Sequence, residues 1–94
     1  MTKEPKPREC IEKFSIAMEA VLRGNDDKRG WEHDTLQSLF SRMLDEVAEL
    51  SHGIDAGSIF DIRRECCDVA NFAMMIWDVT ERIRLRMSIE DFPQ

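Results

Sequence analysis

The sequence lacks any apolar run long enough to cross a membrane. Its longest apolar block, residues 72–77, has six residues, whereas a spanning helix needs about 20. The polar, proline-containing start of the chain also lacks the basic, apolar and small-residue regions of a secretory signal. We therefore expect a cytoplasmic protein that does not enter a membrane.

The sequence also lacks a paired set of cysteines. Cys10, Cys66 and Cys67 make an odd number and have no CxxC spacing, which speaks against a disulfide framework and against a zinc knuckle. We expect reduced thiols that pack as small apolar groups.

Basic residues are fewer than acidic ones. Thirteen Lys and Arg residues stand against nineteen Asp and Glu residues, which gives a net charge of −6. Proteins that bind a nucleic acid polymer need a basic surface to displace counterions from its phosphates, so we expect no such partner. The length of 94 residues, with 43% hydrophobic and 34% charged residues, is typical of one globular domain over 1–94. Residues 1–7 read as a flexible N-terminal arm.

Apolar residues recur at intervals of three and four along most of the chain, which is the period of amphipathic helices. The pattern predicts three helices, over residues 8–23, 35–52 and 59–87. The alternation of apolar and polar residues that is typical of strands does not occur. The expected fold class is therefore all-α.

Capping signals precede the second and third predicted helices. Asp34 with Gln37, and Ser58 with Asp61, have the spacing of side chains that cap the N-terminus of a helix. A break in the third helix near residues 78–80 would create a short fourth helix. We therefore expect a bundle of three to four helices.

The third predicted helix is apolar around most of its circumference. Its middle carries Phe72, Met74, Met75, Trp77 and Val79 in addition to its main apolar stripe. A helix that is apolar all round is usually buried all round, and three helices are too few to cover it. We therefore expect a homo-oligomer built on this helix. The alternative is that the first helix and the N-terminal arm cover the surface.

Two pairs of acidic residues border the apolar stripes of the second and third helices. Glu46 and Glu49 are three residues apart on one helix, and Glu65 and Asp68 are three apart on the other. Residues at this spacing share one helical face. We expect the two helices to pack antiparallel because their connection is short, and the four carboxylates then converge.

Four carboxylates at close range repel one another and need a cation. Mg²⁺ prefers oxygen ligands and typically bridges carboxylates to phosphates; Mn²⁺ is an alternative ion. A metal held there can activate a water and neutralise charge on a phosphoryl group. The other interpretation is a solvated acidic face, on which Arg42 pairs with Glu46 and Arg64 pairs with Asp68 at i,i+4 spacing.

The segment between the first two helices carries further candidate binding residues. Lys28 and Arg29 have the charge to bind a phosphate chain, unless they are solvated loop cations. Trp31 either stacks on a nucleotide base or fills the core beneath the loop.

The spacing of the acids resembles a family signature. Glu46 and Glu49 lie in a D-E-V-A-E-L segment, and Glu65 and Asp68 lie in an E-C-C-D segment; fifteen residues separate Glu49 from Glu65. This ExxE and ExxD pattern is similar to that of the MazG-like all-α nucleoside triphosphate pyrophosphohydrolases. The D-V-A-N-F-A-M-M segment and the G-W pair before the second helix resemble small bacterial and phage members, so the likeness covers about residues 28–78.

The resemblance implies an activity and a set of site residues. Members hydrolyse a nucleoside triphosphate to the monophosphate and pyrophosphate, with Mg²⁺ held by the motif acids. These acids correspond to Glu46, Glu49, Glu65 and Asp68, and one of the two motif glutamates, Glu46 or Glu49, would orient or deprotonate the attacking water. Asn71, one turn after Asp68, would hydrogen-bond substrate or a ligand carboxylate. Members usually form dimers or tetramers, and helices of a neighbouring subunit complete the site.

The expected function is therefore cleaning or shaping of the nucleotide pool by hydrolysis of (deoxy)nucleoside triphosphates. Two alternatives stay open. One is phosphoribosyl-ATP pyrophosphohydrolase, which shares the fold and the acid motif. The other is a non-catalytic α-helical interaction module, which has no need for four carboxylates beside its core.

Overall fold

The computed structural model describes residues 4–25 and 30–91, with side chains to residue 87. It contains three helices: α1 (Glu9–Arg23), α2 (Leu36–Ala56) and α3 (Ile59–Asp91). No strand occurs in these ranges, so the predicted all-α class is confirmed. Helix α3 continues through residues 78–80, as the prediction of one long third helix has it, and the alternative of a break that forms a fourth helix is wrong. None of the described helices combines the length and the apolar character needed to span a membrane.

The N-terminus of α2 is capped by Thr35. Its backbone is extended, and its hydroxyl accepts a hydrogen bond from the N–H of Ser38 at 3.0 Å. The prediction of a cap formed by Asp34 and Gln37 is therefore wrong by one residue. Threonine is also a common cap, and Asp34 lies in the preceding turn, where its carboxylate accepts a bond from Arg42 at 3.5 Å.

A two-residue connection turns the chain from α2 into α3. Gly57 ends α2 with a left-handed backbone at a φ of 72°. The hydroxyl of Ser58 then accepts a hydrogen bond from the backbone N–H of Asp61 at 3.3 Å, so the predicted cap of α3 is confirmed. The chain thus reverses direction within one tight turn.

The two helices of this hairpin are antiparallel, as predicted. The C-terminal residues of α2 lie beside the N-terminal residues of α3, and earlier residues of α2 lie beside later residues of α3. Gly53 lies against Ile62, Glu46 lies near Glu65, and the helix turn before Glu46 faces the middle of α3. This register decides which acidic side chains face each other.

We expect Gly57→Ala to lower the free energy of unfolding by about 1 kcal/mol, because an L side chain is disfavoured in the left-handed region. No atom lies within 4 Å of the added Cβ, so the cost arises in the backbone alone. Gly53→Ala is the matched control: it is helical, and its Cβ would meet Ile62 at 3.7 Å, an ordinary contact. It should keep or raise stability. Urea unfolding measures both, and equal losses would contradict this account of the turn.

Helix α3 is the central element, because α1 and α2 each pack against it and not against each other. Asn71 of α3 is buried and its side-chain N–H donates to the carbonyl of Met18 in α1 at 3.1 Å. A buried amide that lost this partner would be costly. This hydrogen bond therefore fixes how α1 docks on the hairpin.

All three cysteines are free. Cys67 is buried between the helices, Cys66 is half-buried, and Cys10 is exposed. The prediction of thiols packed as small apolar groups is therefore confirmed for Cys67 and wrong for Cys10, which is exposed near the start of α1.

The single chain has a thin core. Among the described side chains, the buried apolar ones are Leu39, Cys67 and Val79. Helix α3 is not enclosed on all sides within one chain, since Trp77 is 64% exposed and every side chain over 82–87 is exposed. The last turns of α3 therefore extend past their neighbours.

A second apolar stripe runs along α2, on a side that α3 does not cover. Its members are exposed and follow one another at intervals of four, three and seven residues: Phe40, Leu44, Val47 and Ile54. We call these four residues the outer stripe of α2. Intervals of this kind place side chains along one line on a helix surface.

Candidate metal centre

Three of the four predicted acidic residues meet between α2 and α3. Glu46, Glu65 and Asp68 each place a carboxylate oxygen within 4.8 Å of the other two, and all three are half-buried. The spacing of three residues puts Glu65 and Asp68 on one face of α3, and the antiparallel register brings Glu46 to that face. We call these three residues the acid group.

Glu49 is exposed and lies outside the acid group. It is nevertheless close enough for its charge to raise the pKa of Glu65. Its predicted part in metal binding or in activating water stays a prediction.

Glu65 is the most perturbed member of the acid group. Its burial, a hydrogen bond with Glu46, and the negative charges of Asp68, Glu46 and Glu49 raise its pKa from 4.5 to about 7. Its Oε2 atom is buried and receives no hydrogen bond. A buried carboxylate oxygen without a donor is costly, so this position favours either a proton or a cation.

Asp68 experiences opposing influences. Burial raises the pKa of its carboxyl, whereas the nearby Arg64 and a hydrogen bond with Glu65 lower it, and the net shift is upward. The pKa values of both α3 members of the acid group, Glu65 and Asp68, are thus raised.

The acid group fits a hard divalent cation. It offers oxygen ligands only, it gathers negative charge in a half-buried place, and it contains one buried oxygen that lacks a donor. Mg²⁺ and Mn²⁺ are held by such carboxylate sets. A bound cation would favour the ionised forms of Glu65 and Asp68, opposite to the effect of burial.

We expect the metal-free protein to become less stable as the pH rises from about 4.5 to about 7. In this window folded Glu65 keeps a proton that the unfolded chain has lost, because its pKa is raised from 4.5 to about 7. The loss should be on the order of 2 kcal/mol once solvent screening is allowed for. Thermal unfolding in EDTA at pH 5 and pH 8 measures it.

Addition of Mg²⁺ should restore stability at pH 8, since the ion binds the ionised carboxylates of the folded state. If the unfolding curves in EDTA are the same at both pH values and Mg²⁺ has no effect, the raised pKa of Glu65 and the metal site are both contradicted.

Two members of the acid group, Glu46 and Asp68, line a cleft of about 610 Å³. The charged end of this cleft is lined by Glu46, Asp68 and Arg64. The apolar end is lined by side chains from α1, from α3 and from the connection between α1 and α2: Leu22, Trp31, Phe72 and Met75. Asn25, Glu32 and Asn71 line the cleft as well, so the apolar end is named for its large apolar side chains and also contains polar groups.

Two arginines line the cleft as well. Arg42 lies between the two ends, with its guanidinium 4.8 Å from the centre of the Phe72 ring. It bonds Asp34 at 3.5 Å, and Arg64 is close enough to Asp68 to lower the pKa of that carboxyl. Sequence reasoning treated both arginines as surface partners of the acids and missed their place in the cleft. Their i,i+4 spacing from the acids was the signal that could have placed them there.

The structure locates two of the three predicted substrate-binding residues. Trp31 is half-buried in the cleft wall, and its indole N–H donates to Asp78 at 2.9 Å. Asn71 lines the cleft while its side-chain N–H is bound to α1. Lys28, together with the neighbouring Arg29, lies outside the described residues.

Comparisons with known proteins assign no function to this site. No protein-family model matches the chain, and no solved structure matches it. An uncharacterized protein of Archaeoglobus fulgidus is 33% identical over 60 residues, which make up 64% of this chain and 64% of that protein. The chain thus matches only part of the length of this relative.

Proposed function

We propose that this chain is a Mg²⁺-dependent nucleoside triphosphate pyrophosphohydrolase of the MazG-like kind. The observation that carries the proposal is the acid group, which contains a buried Glu65 oxygen without a hydrogen-bond donor and whose Glu46 and Asp68 line a cleft that also holds Trp31, Phe72 and Met75. A nucleoside triphosphate has the matching distribution of a metal-binding phosphate chain and a planar base. The resemblance of the ExxE and ExxD segments supports the same activity.

The acid group would hold the metal in its ionised form. When bound there, Mg²⁺ would lower the pKa of a water and offset charge on the phosphates. Arg42 and Arg64 line the cleft beside the acids, where their guanidinium groups can bind phosphate oxygens and stabilise developing charge.

We assign the proton acceptor to Glu49, which is exposed next to the acid group. A water oxygen attacks the α-phosphorus, its proton passes to the Glu49 carboxylate, and the bond between the α-phosphorus and the bridging oxygen breaks. The electron pair of that bond leaves with pyrophosphate. A carboxylate within hydrogen-bond reach of the attacking water can act as its general base.

We also propose that the chain acts as a homodimer or homotetramer. Three buried apolar side chains are a small core for the described chain, and chains with so little core often associate. The outer stripe of α2 has the seven-residue interval at which two antiparallel helices interdigitate. A second copy of α2 therefore fits this surface.

The test of the proposed reaction is pyrophosphate release from a panel of ribo- and deoxyribonucleoside triphosphates with Mg²⁺, with Mn²⁺ and with EDTA. We expect equal amounts of monophosphate and pyrophosphate that depend on the metal. Release of single phosphate groups, or no turnover by folded protein, would overturn the proposal. Phosphoribosyl-ATP belongs in the panel, because its hydrolysis alone would assign the histidine-pathway alternative.

A further inference from the structure

Asp78 of α3 ties the connection between α1 and α2 to the apolar end of the cleft. Its Oδ2 atom accepts a hydrogen bond from the indole N–H of Trp31 at 2.9 Å and another from Arg82 at 3.1 Å. Trp31 and Asp78 are 47 positions apart in the chain. This contact therefore joins segments that are distant in sequence.

The hydrogen bond with Asp78 decides which way the ring of Trp31 faces. The N–H is the only polar group of an indole ring, so this bond holds the polar edge of the ring against α3, beside the cleft. Asp78 is held in turn by Arg82, one turn further along α3. The bond to Trp31, and then Arg82, keep the pKa of Asp78 below its usual range, so the acceptor is ionised at neutral pH and the bond is charge-assisted.

Asp78 is far from the charged end of the cleft. It follows Asp68 by ten residues, which corresponds to ~15 Å along a helix. Between them, Phe72 and Met75 line the cleft with apolar side chains, and Asn71 lines it with an amide whose N–H is bound to Met18. Asp78 can therefore affect a ligand through Trp31 without touching the phosphates.

We infer that Asp78 is a positioning residue for base recognition: it orients Trp31 so that the indole ring forms the wall on which the base of a nucleotide stacks. This inference rests on the proposed function. It separates recognition of the base, at the end near Asp78, from recognition of the phosphates, at the acid group.

Binding measurements with and without a base test the separation. The probes are a non-hydrolysable nucleoside triphosphate analogue and inorganic tripolyphosphate, each titrated calorimetrically with Mg²⁺. Asp78→Ala should weaken binding of the nucleotide by about tenfold, the usual size of a base–aromatic stacking effect, and leave tripolyphosphate binding unchanged. Turnover should show a raised KM and a nearly unchanged kcat. Asp78→Asn keeps an acceptor and should recover part of the affinity.

Glu81→Ala is the matched control, since Glu81 is an acidic residue one turn along α3 that pairs with Arg84 and does not line the cleft. It should bind both probes as the unaltered protein does. Trp31 fluorescence gives a readout that needs no ligand: in a Trp77→Phe background it is the only tryptophan, and Asp78→Ala should shift its emission to the red.

The outcomes are distinct. Nucleotide binding by Asp78→Ala that equals that of the unaltered protein would overturn the inference alone. Equal loss of nucleotide and tripolyphosphate affinity would also overturn it, because it would show a general structural role. Failure of the unaltered protein to bind any nucleotide would overturn the proposed function and this inference with it, whatever the fluorescence shows.

Discussion

Replacing Glu65 with glutamine should abolish metal-dependent hydrolysis and at the same time stabilise the metal-free protein. The amide cannot supply a negative ligand, so activity should fall by at least about 100-fold, since even residues that only orient a metal ligand are worth 10- to 100-fold. The amide also has no charge to bury. Because burial and neighbouring charges raise the pKa of Glu65 to about 7, Glu65→Gln should add on the order of 2 kcal/mol of stability at pH 8 in EDTA.

Opposite changes in activity and stability distinguish a functional site from a structural one. Replacing a residue that serves packing or a salt bridge would lower the stability of the folded protein. Asp55→Asn is the control, because Asp55 is an exposed carboxylate in the last turn of α2 and should change neither property. Turnover assays and thermal unfolding in EDTA measure the two effects. Full activity in Glu65→Gln would remove the acid group from the mechanism.

Leu44→Glu should dissociate the proposed oligomer. Leu44 lies in the outer stripe of α2 and is 49% exposed in the single chain, so in a monomer the substitution should change stability by less than about 0.5 kcal/mol. In a symmetric dimer each copy would bury a charge against apolar side chains of the other, which costs several kcal/mol. Light scattering coupled to size-exclusion chromatography should show monomers.

Ile16→Glu is the control for this prediction. Ile16 is an exposed apolar residue of α1 and lies outside the outer stripe, so the same change of charge should leave the assembly intact. If the unaltered protein is a monomer, or if both variants keep its mass, the outer stripe is not the interface. If the stripe is the interface, dissociation should also lower the unfolding temperature, because the single chain has a thin core.

Local patterns in the sequence were sufficient to predict the helices and the meeting of the acids. Apolar periodicity predicted three helices, and the capping pair of Ser58 with Asp61 marked the start of α3. The short connection implied an antiparallel hairpin, and this register alone brings Glu46 to Glu65 and Asp68. These features depend on residues close together in the chain, which is why periodicity was enough.

Features that depend on side-chain direction and distant contacts could not be predicted. Arg42 has the same spacing to Glu46 that a surface ion pair has, yet its guanidinium lies over Phe72 and bonds Asp34. Likewise, the contact between Trp31 and Asp78 spans 47 positions and has no signature in a single sequence. The choice of Thr35 over Asp34 as the cap of α2 was open because both residue types cap helices.

The acid group is encoded by one uninterrupted part of the chain, residues 46–68, closed by a two-residue turn. Such a short loop costs little entropy to close, and contacts between near neighbours form early in folding. The charged end of the cleft can therefore take shape before α1 docks through Met18. The apolar end of the cleft forms only when α1 and the connection after it have packed against α3. Substitutions in α1 and in the connection after it can thus alter which molecules bind in the cleft, while the acids and their chemistry stay the same.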